Sequence, residues 1–134
     1  MKTIKVIIER GNDGLFSAFI SGKGCKFGCI GEGKTAKEAE LDFLQGVEDI
    51  KQVYISKKMP FPEYTYKFTY DISSFLSYYA YAFSLAGLER ITGVNQKQLS
   101  HYLNGVRVPS GTTAKKIEKS VKEFANEIIN TSFV

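Results

Sequence analysis

Pro60 and Pro62 stand two residues apart in KKMPFPEYT, and no helix can run through that stretch. They divide 134 residues into halves of different pattern. Upstream, glycine is frequent and apolar residues alternate with polar ones, as strands require. After Asp71 the apolar spacing is helical to the end. The sequence therefore predicts an α+β protein: an αβ domain over residues 1–58, a connector region over 59–70, and an all-α domain over 71–134. Within the connector, residues 64–70 (YTYKFTY) alternate again and complete the first domain's sheet. Two domains of roughly sixty residues each have thin cores, which favours a homo-oligomer, dimer or tetramer.

In the first half, residues 3–9 (TIKVIIE) form a strand, GNDG a hairpin turn, and residues 15–21 (LFSAFIS) the returning strand. Residues 27–31 are a short third strand of an antiparallel sheet. Thr35 and Glu38 make a capping box, and the helix behind it buries Ala36, Ala39, Phe43, Val47 and Ile50. Lys37, Glu40, Glu48 and Lys51 form its solvated side. In the second half, Ser73 to Phe83 is an apolar and aromatic helix, and residues 112–129 close the chain with a stripe of Ile117, Val121, Phe124, Ala125 and Ile128.

Several chemistries are excluded. The two cysteines, Cys25 and Cys29, have three residues between them, and the lone His101 is far away, so no zinc site is expected. They read as two reduced thiols in a glycine-rich loop. The first half's acids fall on a turn or on a helix surface, so no catalytic carboxylate set and no cofactor are expected, and the protein is not read as an enzyme. No apolar run approaches the length of about 18 residues that a membrane span needs, and the short apolar stretch near Met1 is no signal peptide. A cytoplasmic protein is expected.

Net charge is +4, and the window from residue 95 to 119 accounts for all of it: Lys97, Arg107, Lys115, Lys116 and Lys119 against Glu118. The same region carries the pattern SLAGLERITGVNQKQLSHYLNGVRVPS, two short helices joined through Gly93. It matches the helix-turn-helix of phage-repressor-like DNA-binding domains. Leu85, Leu88 and Ile91 bury the first helix, and Val94, Leu99 and Tyr102 anchor the second. Asn95 caps the second helix, which then presents Gln96, Lys97, Ser100 and His101 to base edges in the major groove. Ser100 and His101 can equally pack or meet solvent. Asn104, Arg107, Lys115 and Lys116 suit phosphates. One departure is Glu89, which replaces the small residue usual where the two helices touch.

An αβ domain carrying GEGKTAKEAELDF, followed by this helix-turn-helix, resembles the HicB-type antitoxins. That resemblance implies a degenerate ribonuclease-H-like first domain that blocks a small ribonuclease toxin of the HicA type. It also implies a second domain that represses its own operon through double-stranded operator DNA. Glu40, Glu48 and Asp49, acids on the helix after Thr35, are the residues assigned to the toxin. The alternative is a stand-alone transcription regulator whose first domain senses a small molecule or RNA.

Overall fold

Strand β1 (Lys2–Arg10) turns Ile4, Val6 and Ile8 to one side, and all three are buried. Faces alternate at every residue of a strand, so this single row of branched side chains builds a core face. The chain then reverses. Gly14 takes φ +82°, the Asp13 carboxylate accepts the Leu15 N–H at 3.0 Å, and the Gly11 N–H donates to the Leu15 carbonyl at 2.8 Å. β2 (Phe16–Ile20) returns antiparallel with Val6 opposite Ile20, and β3 (Ile30–Gly33) adds antiparallel to β2 with Ala18 opposite Gly31. The third strand expected at residues 27–31 thus begins later. Phe27 lies outside the ladder and stacks on Phe61, ring centroids 5.6 Å apart.

Helix α1 (Ala36–Ser56) starts at Thr35, whose hydroxyl accepts the Glu38 N–H at 3.1 Å. The Glu38 carboxylate reaches back to the Lys34 N–H at 2.7 Å, one residue upstream of the usual capping-box amide. Ala36, Ala39 and Phe43 are buried against the sheet; Val47 and Ile50 are only half-buried. Phe43 meets the rings of Tyr66 and Phe68 edge-on, at 5.4 and 5.8 Å, and its burial is worth about 1.5–3 kcal/mol. The helix also lies directly on β3. A Cβ at Gly31 would overlap the backbone of Ala39 and Phe43, so only glycine admits that approach.

β4 (Tyr64–Tyr70) corrects the antiparallel expectation. It pairs with β1 in parallel, Lys2 opposite Tyr64 through Ile8 opposite Tyr70, and the strand order is β3-β2-β1-β4. The reason is the helix. At about 1.5 Å per residue α1 carries the chain back along the sheet, so β4 runs in the direction of β3, and β3 runs in that of β1. The sheet is mixed. Cys25 and Cys29 are free thiols, and Cys29 Sγ donates to the Phe43 carbonyl at 3.4 Å. Burial, then the Asp42 carboxylate, Cys25 and Asp49, push the Cys29 thiol up from its ordinary value.

A computed structural model describes all residues 1–134, and the chain divides into two units, Met1–Ser74 and Phe75–Val134. Residues 71–74 belong to the first unit. The buried Ser74 hydroxyl accepts the Arg10 N–H at 2.7 Å, and Asp71 accepts the Ser74 N–H at 2.8 Å. α2 (Ile72–Tyr78) starts there and passes into a 3-10 turn at Tyr79–Tyr81, two short pieces in place of one expected helix.

The second unit is helical: α3 (Leu85–Thr92), α4 (Gln96–Leu103) and α5 (Gly111–Ile129) around Leu88, Val94, Leu99, Tyr102 and Ile117. Phe83 and Phe124 meet edge-on at 6.2 Å. The expected stripe of α5 is buried only in part. Ile117 is covered and Val121 and Phe124 are half-covered, whereas Ala125 and Ile128 are exposed. The cause is length. At about 1.5 Å per residue, the 19 residues of α5 outrun the 8 of α3, and its residues from Ala125 to Ile129 are exposed.

Candidate nucleic-acid interface

Local chemistry fixes the α3–α4 corner. Ser84 caps α3 by accepting the Gly87 N–H at 3.0 Å, and Leu88 faces the core. At the other end the buried Thr92 hydroxyl donates to the Leu88 carbonyl at 2.7 Å and accepts the Val94 N–H at 3.1 Å. Gly93 takes φ +73°, a left-handed conformation that costs other residues about 1–2 kcal/mol, and its N–H returns to the Glu89 carbonyl at 2.8 Å. Asn95 opens α4, its side-chain oxygen accepting the Lys97 N–H at 2.8 Å. The corner is therefore held by bonds to the Leu88 and Glu89 carbonyls and from the Gly93, Val94 and Lys97 N–H groups.

The far end of α4 is equally defined. Gly105, at φ +74°, donates to the Tyr102 carbonyl at 3.2 Å, while Val106 and Arg107 both donate to the His101 carbonyl, at 2.9 and 3.3 Å. This is a Schellman ending, and it places Arg107 just past the helix. Ser110 then caps α5, accepting the Thr113 N–H at 3.2 Å.

One residue advances roughly 100° around a helix, so Gln96, Lys97, Ser100, His101 and Asn104 occupy one arc of roughly 140°. Leu99 and Tyr102, both buried, lie on the opposite side, and Gln98 Nε2 donates to Tyr102 Oη at 2.7 Å. Of the five expected readers and positioners on α4, Gln96, Lys97 and Asn104 are exposed. Ser100 and His101 are half-buried, and Ser100 already accepts from Asn104 Nδ2 at 3.4 Å. The structure thus brings this group together and ranks it by access.

Arg107, Lys115 and Lys116 are exposed, and neither they nor Lys97 join the ion pairs of this unit, Lys119 with Glu123 and Lys122 with Glu118. Their charges are unspent. Lys116 also approaches the corner: a Cβ at Gly93 would sit 3.5 Å from its Nζ. Glu89 is half-buried on α3, and α3 and α4 still meet around Leu88 and Leu99.

The three acids assigned to a toxin stand on α1. Glu40 is largely covered, with 19% of its side chain accessible and Lys37 Nζ at 3.8 Å. Glu48 and Asp49 are exposed and accept hydrogen bonds from Gln52 and Gln45, both at 3.0 Å. Two exposed neighbours escaped the sequence reading: Leu41, 56% accessible, and Leu44, 41%. Their spacing to Lys37 and Glu48 was the available signal.

Residues 83–121 match the helix-turn-helix family, so α3, α4 and the first part of α5 form a phage-repressor-like DNA-binding helix-turn-helix. No curated protein and no solved structure matches the chain. No helix is long and apolar enough to cross a membrane.

Proposed function

We propose that this chain is a repressor-antitoxin whose second unit reads operator DNA and whose first unit neutralises a small ribonuclease. The observation that carries the DNA half is α4. Its N-terminal turn exposes Gln96 and Lys97 while Leu99 and Tyr102 are buried, and Arg107 just past its end and Lys116 beside the Gly93 corner are exposed cations that join none of this unit's ion pairs. Gln96 suits adenine, and Lys97 suits guanine or a phosphate. Asn104, Arg107, Lys115 and Lys116 position the module on the backbone, with Ser100 and His101 as secondary base contacts.

Binding of the chain to its own promoter, measured by anisotropy, tests this reading. Gln96→Ala and Lys97→Ala each weaken it by about 1–3 kcal/mol. Arg107→Ala lowers affinity for every duplex and flattens the salt dependence by about one unit of slope. Unchanged operator affinity in all three variants would sink the reading.

The toxin half is supported by the resemblance of the GEGKTAKEAELDF segment and by the exposed acids of α1. Glu48 and Asp49 would meet a cationic toxin and raise its association rate, while the covered Glu40 contributes less. Co-expression of the full chain with the adjacent gene product tests it: growth is rescued, and the two proteins co-purify. Persistent growth arrest with soluble chain present leaves a stand-alone regulator.

A further inference from the structure

Along the side of α1 turned away from the sheet, Lys37, Leu41, Leu44, Glu48, Lys51 and Ile55 recur at intervals of four and three residues. That is the spacing of a coiled-coil seam, which puts all six on one narrow stripe. The seam is bare. Leu41 is 56% accessible, Leu44 41% and Ile55 55%, and the Lys37 side chain is 70% accessible.

We propose that this stripe is a homodimer face on which α1 packs antiparallel against α1 of a second copy. Self-complementarity carries the argument. In an antiparallel pair about a two-fold axis near Asp42 and Phe43, Leu41 of each copy opposes Leu44 of the other. In the same register Lys37 opposes Glu48, so a four-leucine centre is closed at both ends by opposite charges. A shift by one heptad sets Leu41 against Lys51 and Leu44 against Glu48, burying charges on leucines. A parallel, in-register pair sets Lys37 against Lys37 and Glu48 against Glu48. The antiparallel register two heptads on would set Leu44 against Ile55 and Glu48 against Lys51, but it draws on a lysine that already has an acidic partner; the register about Asp42 and Phe43 does not, and it is isologous, as a two-fold dimer requires. Lys51 is not needed in it, being held by Glu63 at 3.2 Å. The centre is small, so the dimer exchanges with monomer at roughly micromolar concentrations.

The consequence, which rests on the DNA reading proposed above, is that each dimer carries two recognition helices and spans two half-sites. The same face bears Glu48, so a second copy and a toxin compete for it.

Sedimentation equilibrium of the full chain without DNA, at about 5–200 µM, is the direct test. The wild type is expected to follow a monomer–dimer equilibrium. Leu41→Glu raises the dissociation constant at least tenfold with an unchanged circular dichroism spectrum, since Leu41 is exposed and lies outside the buried core of the unit. Lys37→Glu and Glu48→Lys each weaken the dimer, and combining them in one chain restores it. That restoration is specific to the antiparallel register. A monomeric wild type over the whole range overturns the proposal, as does a dimer untouched by Leu41→Glu or a double variant no better than the singles. A monomer whose toxin capture is lost in Leu41→Glu assigns the face to the toxin instead. None of these results depends on Gln96 or Lys97, so failure here leaves the DNA reading standing.

Discussion

In the first unit α1 meets the sheet where Gly31 and Gly33, on the strand just before it, offer no side chain. In the second unit α3 and α4 meet at a corner whose shape is set within six residues, by Thr92, Gly93 and Asn95. The first is specified by what is missing at a crossing, the second by what is bonded at helix ends. A helix laid on backbone cannot retreat from an added methyl group without losing its whole contact. A capped corner has several bonds, and losing one leaves the others. The two units should therefore respond very differently to single small substitutions.

Gly31→Ala tests the first half of that contrast and has the largest expected effect. Its Cβ would overlap main-chain atoms of Ala39 and Phe43, which have no rotamer to yield with. The cost should reach about 3 kcal/mol, the upper end for overpacking, read as a shift of the urea midpoint. Gly28→Ala is the matched control, because nothing lies within 4 Å of that position. Equal midpoints for the two variants would mean that α1 does not rest on β3 as described.

The corner is tested by Asn95→Ala, with an expected loss of about 1 kcal/mol, typical for a lost N-cap. Operator binding should also weaken, because the Lys97 N–H loses its acceptor and the first turn of α4 frays. Asn95→Asp should retain most of the stability. A loss as large as that of Gly31→Ala would erase the contrast between the units.

That difference also explains what could be read from sequence. Thr35, Ser84, Asn95, Gly93 and Gly105 announce caps and turns through local chemistry, and the α3–α4 corner follows from them almost residue by residue. The buried side of α1 was legible at Ala36, Ala39 and Phe43 for the same reason. The parallel placement of β4 was not, because alternation in YTYKFTY is blind to direction, which the return path through α1 decides. The apolar spacing of α5 holds past Phe124, but spacing cannot tell where the neighbouring helix stops. Leu41 and Leu44 went unread because the charges around them gave that side the look of a solvated surface. Among the DNA readers, Gln96 and Lys97 are exposed as read, while the access of Ser100 and His101 depends on packing no single helix reveals.

The smallest effect concerns the first unit's core. Tyr66 packs its ring on Phe43, yet its hydroxyl is buried without a hydrogen-bond partner. Burial, followed by the nearby Cys25, Cys29, Glu63 and Tyr64, pushes its pKa up to about 12. An unfolded chain releases that proton near the ordinary tyrosine value of about 10. Between those two values the unfolded state binds fewer protons than the folded one, so stability falls as pH rises from about 10 to about 12. Below pH 10 both states are protonated and the hydroxyl contributes no pH dependence. Tyr66→Phe removes the unpartnered group while keeping the ring. It should raise stability at neutral pH by no more than about 1 kcal/mol, since the unpaired hydroxyl no longer has to be desolvated. It should also remove part of the alkaline decline, seen as a shallower fall in melting temperature between pH 10 and 11.5 than in the wild type. A variant that melts lower at neutral pH would mean that the hydroxyl is hydrogen-bonded in solution. Parallel alkaline curves would mean that Tyr66 ionises as an exposed tyrosine does.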